Sequence, residues 1–165
     1  MALLEFNTKE GPFVDAAVRR AISTAINRQF MIDTIFFGFG KPATSALSSN
    51  FKATGLHAEM SNYPANGDVA AANKILDDAG YKKDSDGVRM KGTLDLIPYG
   101  EDWRRGGEYL KQALKDIGIE LELRYEDVPT WLKRVYHNYD FQMNPIIFIS
   151  LLIQCLVSIV ITVRI

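Results

Sequence analysis

Cysteine is nearly absent from this sequence. Cys155 is the only one, so no disulfide can close within the chain and no cysteine cluster can hold a structural zinc. Histidine is almost as scarce: His57 and His137 stand far apart, and each reads as a surface residue rather than a metal ligand. Neither charge sign is in excess, with 19 basic against 20 acidic residues and a net charge of −1. That balance excludes the basic footprint of a nucleic-acid partner. The motifs of common catalysis are missing too. No Gly-rich phosphate loop precedes a helix, and there is no GxSxG, no HExxH and no carboxylate cluster at ligand spacing. Gly38-Phe39-Gly40 faintly echoes a dinucleotide fingerprint, but it falls at the end of a helical pattern, where it reads as a cap. The expectation is a protein that is not an enzyme and takes no cofactor and no metal.

What is present is an interleaved pattern of strands and helices over residues 6–143, in a chain of 165 residues that suits one domain. Leu3 to Phe6 suits a strand. Asp15 stands where an N-cap belongs, and Val18, Ala21, Ile22, Ala25 and Ile26 recur at helical spacing behind it. Further helical turns run through Phe30, Met31 and Ile35 to Gly38. Lys41 to Pro64 reads as a long surface loop. Asp68 caps the next helix, with Val69, Ala72, Ile75, Leu76 and Ala79 expected inward and Gly80 ending it. Lys82 to Gly87 is a polar turn whose Asp86-Gly87 is a hairpin signal.

A strand is expected over Thr93 to Pro98, with Leu94 and Leu96 alternating against polar neighbours, and a helix over Asp102 to Ile117 ending at Gly118. Ile119 to Tyr125 alternates as a half-buried strand. A short helix, Thr130 to Tyr136, and a last strand, Asp140 to Met143, complete the series. Strands alternating with helices give an α/β fold with a mixed sheet flanked by helices.

The best candidate site is Pro98 to Arg105, which joins the carboxyl end of a strand to a helix N-terminus, where α/β proteins place ligand contacts. Within it Tyr99, Glu101, Asp102 and Trp103 are the candidate ligand-binding residues. Tyr99 and Trp103 have faces to stack on or wall off a ligand, and Asp102 suits the N-cap. The competing reading is that Asp102 only caps and Trp103 only packs on the sheet edge. Glu126, Asp127 and Trp131 follow the next strand at the same end if the strands are parallel. There Asp127 or Thr130 is expected to start the short helix and Trp131 to fill core.

Several blocks then fall into one register. Asn7 to Phe13, Asp15 and Val18 to Arg28 form the first, and Ala71 to Tyr81 the second. Asp86-Gly87, Leu110 to Ile119 and Asp140-Phe141 continue it. Together they resemble the family 5 extracellular solute-binding proteins, the oligopeptide, dipeptide and nickel receptors of ABC importers. The resemblance implies one lobe of a two-lobed periplasmic-binding-protein fold that closes on its ligand like a clamp, with Leu3 to Asn7 as the strand that crosses from the other lobe. It further implies a peptide or other small polar solute as ligand, the membrane permease subunits of an ABC transporter as partners, and a periplasmic or cell-envelope location. Two positions depart from the family. Ile97 stands where dipeptide receptors carry an arginine that grips the ligand carboxylate, and Asn144-Pro145-Ile146 replaces the usual return segment. Nor does MALLEFNTKEGPF have the basic start and long apolar run of a secretory signal.

The departure leads into Ile146 to Val163, which carries no charged side chain. About 18 residues at about 1.5 Å each span roughly 27 Å, near the hydrocarbon thickness of a bilayer. Three readings stay open for it: a membrane-inserted helix, a buried strand, or the non-native ending of a truncated gene product. The expected division is therefore 1–144 as the lobe and 145–165 as an apolar tail. The leading functional expectation is a fragment of a solute-binding protein that does not bind its solute alone. The alternative is a small membrane-anchored interaction module built on the same lobe.

Overall fold

The structure, a computed structural model, describes residues 2–43 and 63–147. Most of the expected loop Lys41 to Pro64, His57, Cys155 and the tail beyond Ile147 lie outside the described residues. Among the described residues no helix is long and apolar enough to cross a membrane.

Four strands form one mixed sheet: β1 (Ala2–Phe6), β2 (Met90–Asp95), β3 (Ile119–Arg124) and β4 (Met143–Ile147). Their order across the sheet is β1-β4-β2-β3. β2 pairs with β3 in parallel, with Leu94 beside Leu123, and with β4 in parallel at Leu94 and Met143. β1 runs antiparallel to β4, from Ala2 beside Ile147 to Phe6 beside Met143. The helices are α1 (Ala16–Ala25), α2 (Arg28–Phe30, continued as a π-helical turn over Met31–Ile35), α3 (Val69–Asp78), α4 (Glu101–Lys115) and α5 (Val128–Leu132, continued as a π-helical turn over Lys133–His137).

The apolar stripe of α1 is buried as its spacing predicts, with Val18, Ala21 and Ile22 fully enclosed. Asp15 caps this helix by accepting from the Ala17 N–H at 2.7 Å. These side chains join Ala72 and Leu76 of α3, Leu110 and Leu114 of α4, and Leu94, Leu96, Ile119, Leu121 and Met143 of the sheet in one core. Burying Val18, Ile22 and Ile26 contributes on the order of 5–8 kcal/mol before chain entropy is counted. Gly107 is what lets α4 pack closely against Leu96, the residue that follows β2, since a Cβ there would meet the Leu96 side chain at 2.4 Å.

Five expectations change. Val69 and Ala79 are exposed, because α3 turns only Ala72, Leu76 and part of Ile75 toward α1. Asp84 to Val88 closes a turn around Gly87, but among the described residues no strand precedes β2 there, so Asp86-Gly87 makes no hairpin. β2 begins at Met90, and past the exposed Lys91 its polar residues do not face solvent. Thr93 and Asp95 are as buried as Leu94, because a central strand is covered on both faces. Gly100, with φ of 112°, takes the cap position of α4, which leaves Asp102 inside the first turn. Lastly, β4 runs over Met143–Ile147, so it only begins where the expected strand Asp140 to Met143 ends. Pro145 does not end it, because the ladder to β2 stops at Met143 and Pro145 pairs only toward Leu4 of β1. Ile146 and Ile147, the first residues of the uncharged segment, thus belong to a strand.

Candidate functional site

Since β2, β3 and β4 are mutually parallel across the sheet, their carboxyl ends meet at one edge of the molecule. Loops following parallel strands at such an edge are the usual seat of ligands in α/β folds. The β2–α4 loop makes a tight turn, with the Tyr99 N–H donating to the Ile97 carbonyl at 2.9 Å. Gly100 then reverses the chain into α4, whose first turn carries Glu101 and Asp102 where the helix dipole favours negative charge. A cleft of about 230 Å³ opens here, lined by Leu96, Ile97, Pro98, Gly100, Glu101, Arg104, Tyr125 and Glu126. Ligand pockets that enclose a small molecule run from about 300 to 1,000 Å³. This cleft is open and smaller, so it offers one wall of a site rather than a closed one.

The four candidate residues do gather at this edge, each in a different setting. Tyr99 is 56% exposed and stands edge-on to Trp131, ring centres 6.2 Å apart. Glu101 lines the cleft and accepts from Arg104 Nε at 3.0 Å. Asp102 is half-buried and, among the described residues, makes no side-chain hydrogen bond. Trp103 is half-buried and packs edge-on against Phe36 at 5.8 Å and against the apolar group of Ile97, Trp131 and Val135. Trp103 is therefore a wall of the site more than a free stacking surface. Ile97 is buried in the same group, so the side chain at that position offers an apolar floor and no cation. Glu126 and Asp127 lie at the same end, and Asp127 caps α5 by accepting from the Thr130 N–H at 2.9 Å.

Beneath this edge, on the sheet face covered by α5, lie charged residues that sequence patterning overlooked. Asp95 is 0% exposed at the end of β2 and accepts from Arg134 Nη2 at 2.5 Å. The Arg134 Nε also donates to both carboxylate oxygens of Glu126, at 3.0 and 2.9 Å, and Nη1 to the Asp140 carbonyl at 2.8 Å. Burial opposes the Arg134 charge, but its hydrogen bonds to Glu126 and Asp95 outweigh that and hold its pKa above the ordinary value. Burial likewise pushes the Asp95 carboxyl up, and the pull of Arg134 only partly offsets it. The second Asp95 oxygen, Oδ2, and the Thr93 hydroxyl have no partner among the described residues. A charge between Leu94 and Leu96 in an apolar strand is the one available signal, and alternation by itself assigns such a neighbour to the polar face. Among the described residues no cluster of His, Cys, Asp or Glu suits a metal ion. Two further polar residues, Glu5 and Asn144, meet across β1 and β4, a juxtaposition that only strand pairing reveals.

The sequence profile of the bacterial extracellular solute-binding proteins, family 5 Middle, matches residues 1–148. Protein XP55 of Streptomyces lividans is 39% identical over 118 residues, which cover 66% of this chain and 20% of that protein. The glutathione-binding protein GsiB of Salmonella choleraesuis is 32% identical over 124 residues, 75% of this chain and 22% of that one. The chain thus spans about a fifth of the length of these curated relatives. Among solved structures, NikA from Brucella suis in complex with Fe(III)-EDTA superposes with a TM-score of 0.74 at 26% identity, covering 87% of this chain and 29% of NikA. The oligopeptide-binding protein AppA from Bacillus subtilis, in complex with a nonapeptide, superposes at 0.75 with 22% identity, over 88% of this chain and 30% of AppA, and shows the same fold.

Proposed function

Because the chain belongs to family 5 of the bacterial extracellular solute-binding proteins, we propose that the lobe expected over residues 1–144, which β4 carries on to Ile147, acts as one lobe of the solute receptor of an ABC importer. The solute is a peptide or a similar small polar molecule, delivered to the membrane permease subunits outside the cytoplasm. The observation that carries this reading is the geometry of one edge of the sheet. The cleft at the ends of β2 and β3 is open and holds about 230 Å³. At the same edge Ala2 of β1 and Ile147 of β4 lie side by side. Two adjacent antiparallel strands leaving a lobe beside its cleft suit a hinge that lets a second lobe close over a ligand.

In this reading Tyr99 and Glu101 meet the solute, Asp102 supplies negative charge at the start of α4, and Trp103 backs Tyr99. The buried Ile97 gives the cleft an apolar floor, which argues against a carboxylate being gripped at that point. Recognition is by binding alone, as befits relatives that are solute-binding proteins rather than enzymes.

Calorimetry of this chain against a mixed panel of di- to pentapeptides tests the proposal. A lobe that supplies one wall is expected to bind no peptide tighter than about millimolar, which corresponds to only about 4 kcal/mol. Fusing it to the complementary lobe of a family relative is expected to bring at least one member of the panel into the micromolar range. Micromolar binding by the chain alone would overturn the clamp reading. A fused, folded protein that bound nothing would overturn the choice of peptides as solute class.

A further inference from the structure

We propose that Asn144 is a positioning residue that ties Tyr99, in the loop between the cleft-lining Pro98 and Gly100, to the strand pair β1 and β4. The inference rests on the reading of Tyr99 as a solute contact. Asn144 is 0% exposed and sits in β4 directly beside Glu5 of β1. Its side-chain oxygen accepts from the indole Nε1–H of Trp131 at 3.1 Å. Its side-chain nitrogen donates to Glu5 Oε2 at 3.1 Å and to the Tyr136 hydroxyl at 3.3 Å. The Tyr136 hydroxyl in turn donates to the same Glu5 oxygen at 3.2 Å.

The chemistry of the two neighbours fixes the amide in one orientation. An indole N–H only donates, and an ionised carboxylate only accepts. A residue between them must accept on one side and donate on the other, and asparagine does both in a short side chain. Aspartate would set a second carboxylate against Glu5. Leucine would leave both the indole and the carboxylate without that partner. Tyr136 is held in the same polar knot, its phenol pKa pushed up by burial and then by the Glu5 charge.

The aromatic rings carry this knot to the cleft. Trp131 stacks edge-on against Tyr136 at 5.3 Å on one side and against Tyr99 at 6.2 Å on the other. The indole is therefore pinned by Asn144 and itself sets the position of Tyr99. A shift of β4 against β1 moves Asn144, which moves the indole and with it the wall that meets the solute. Asn144 thus links the strands of the proposed hinge to the ligand-facing loop through a single buried amide.

The test uses the full chain without solute, so it stands whether or not peptides bind. With 15N-labelled tryptophan, the Trp131 indole N–H, assigned by Trp131→Phe, is expected to exchange with water at least about tenfold more slowly than that of Trp103. Asn144→Leu is expected to abolish this protection and to shift the Tyr99 ring resonances while the core methyl spectrum stays dispersed. Glu5→Gln, whose amide oxygen can still accept, is expected to keep both signals near their original values. Should Asn144→Leu fail to fold, Tyr136→Phe removes one hydroxyl of the knot and is expected to move the same two signals to a smaller extent. Equal exchange of the two indoles in the unaltered chain overturns the proposal. So do unmoved Tyr99 resonances in whichever of these two variants folds.

Discussion

The two faces of the sheet are built on different principles. The face under α1, α3 and α4 is apolar throughout, with Val18, Ile22, Leu76, Leu94, Leu114 and Met143 all enclosed. The face under α5 has a small apolar patch, Ile97, Trp131 and Val135, set among buried polar groups: Asp95 with Arg134 and Glu126, and Asn144 with Glu5 and Tyr136. The first face draws its stability from area removed from water, which is non-directional and tolerant of detail. The second depends on hydrogen bonds that matter most when one partner is lost. It is also the face that runs up to the candidate cleft, where geometry counts for more than bulk burial.

A carboxylate inserted into the apolar face should have the largest effect. Ile22→Asp places a charge among side chains with nothing to pair it, and is expected to abolish cooperative unfolding altogether. A thermal melt within a degree or two of the parent would show that α1 does not face the core. On the polar face, Arg134→Met leaves the buried Asp95 with only Arg124, 3.9 Å away, in place of its hydrogen-bonded cation, at an expected cost of about 3–5 kcal/mol in urea unfolding. Adding Asp95→Asn to that variant should restore much of the loss, since the stranded charge is then gone. If the double variant were as unstable as the single one, lost packing by the arginine stem would be the cause instead.

The pH dependence sharpens the same contrast. Asp95 has its folded-state pKa raised above 3.8, so its contribution is most favourable below that pH and is lost as pH rises through the folded value. The stability of Asp95→Asn relative to the unaltered chain should therefore rise as pH increases from 3.8 through the raised folded value. A flat difference over that range would mean that the carboxyl titrates normally. Asp15 behaves oppositely. The Ala17 N–H, then the Tyr81 hydroxyl, lowers its pKa, so its contribution is present above 3.8 and is lost as pH falls through the lower folded value.

Smaller effects probe how closely the apolar face is packed. A Cβ at Gly107 would meet Leu96 at 2.4 Å, whereas one at Gly106 has only the Met31 methyl at 3.8 Å. Gly106→Ala is expected to stabilise the chain by up to about 1 kcal/mol through helix propensity. Gly107→Ala should be less stable than Gly106→Ala by about 1–3 kcal/mol, the usual cost of overpacking. Equal melting temperatures would mean that Leu96 has room to turn aside. Of similar size to the Gly106 effect, Asp15→Ala removes an exposed cap and should cost about 1 kcal/mol, read from urea midpoints at neutral pH.

Much of this was legible in the order of residues. The caps Asp15 and Asp68 were readable, and Asp127 as one of two candidates beside Thr130, because a capping bond spans two or three residues along the chain. The inward stripes of α1 and β3 were readable because their periods, near 3.6 and 2, are properties of a single element. The loop carrying Tyr99, Glu101, Asp102 and Trp103 was readable as a strand-to-helix junction, and with it the family resemblance that the profile match over residues 1–148 bears out.

What the chain order did not reveal depends on which elements become neighbours. Asp95 looked solvent-facing because alternation assumes one wet face, and only the placing of β2 between β3 and β4 with α5 across it makes both faces dry. The expected strand stopped at Met143, before Asn144 and Pro145, two residue types with poor strand preference. Pairing with β1 carried the strand through them, since the ladder toward Leu4 and Glu5 offers bonds that local preference cannot anticipate. The knot of Glu5, Asn144, Tyr136 and Trp131 joins residues up to 139 positions apart. Periodicity and capping are set by bonds within a few residues and can be read from the sequence. The dry polar face is set by contacts between distant segments, and came into being only when the sheet closed.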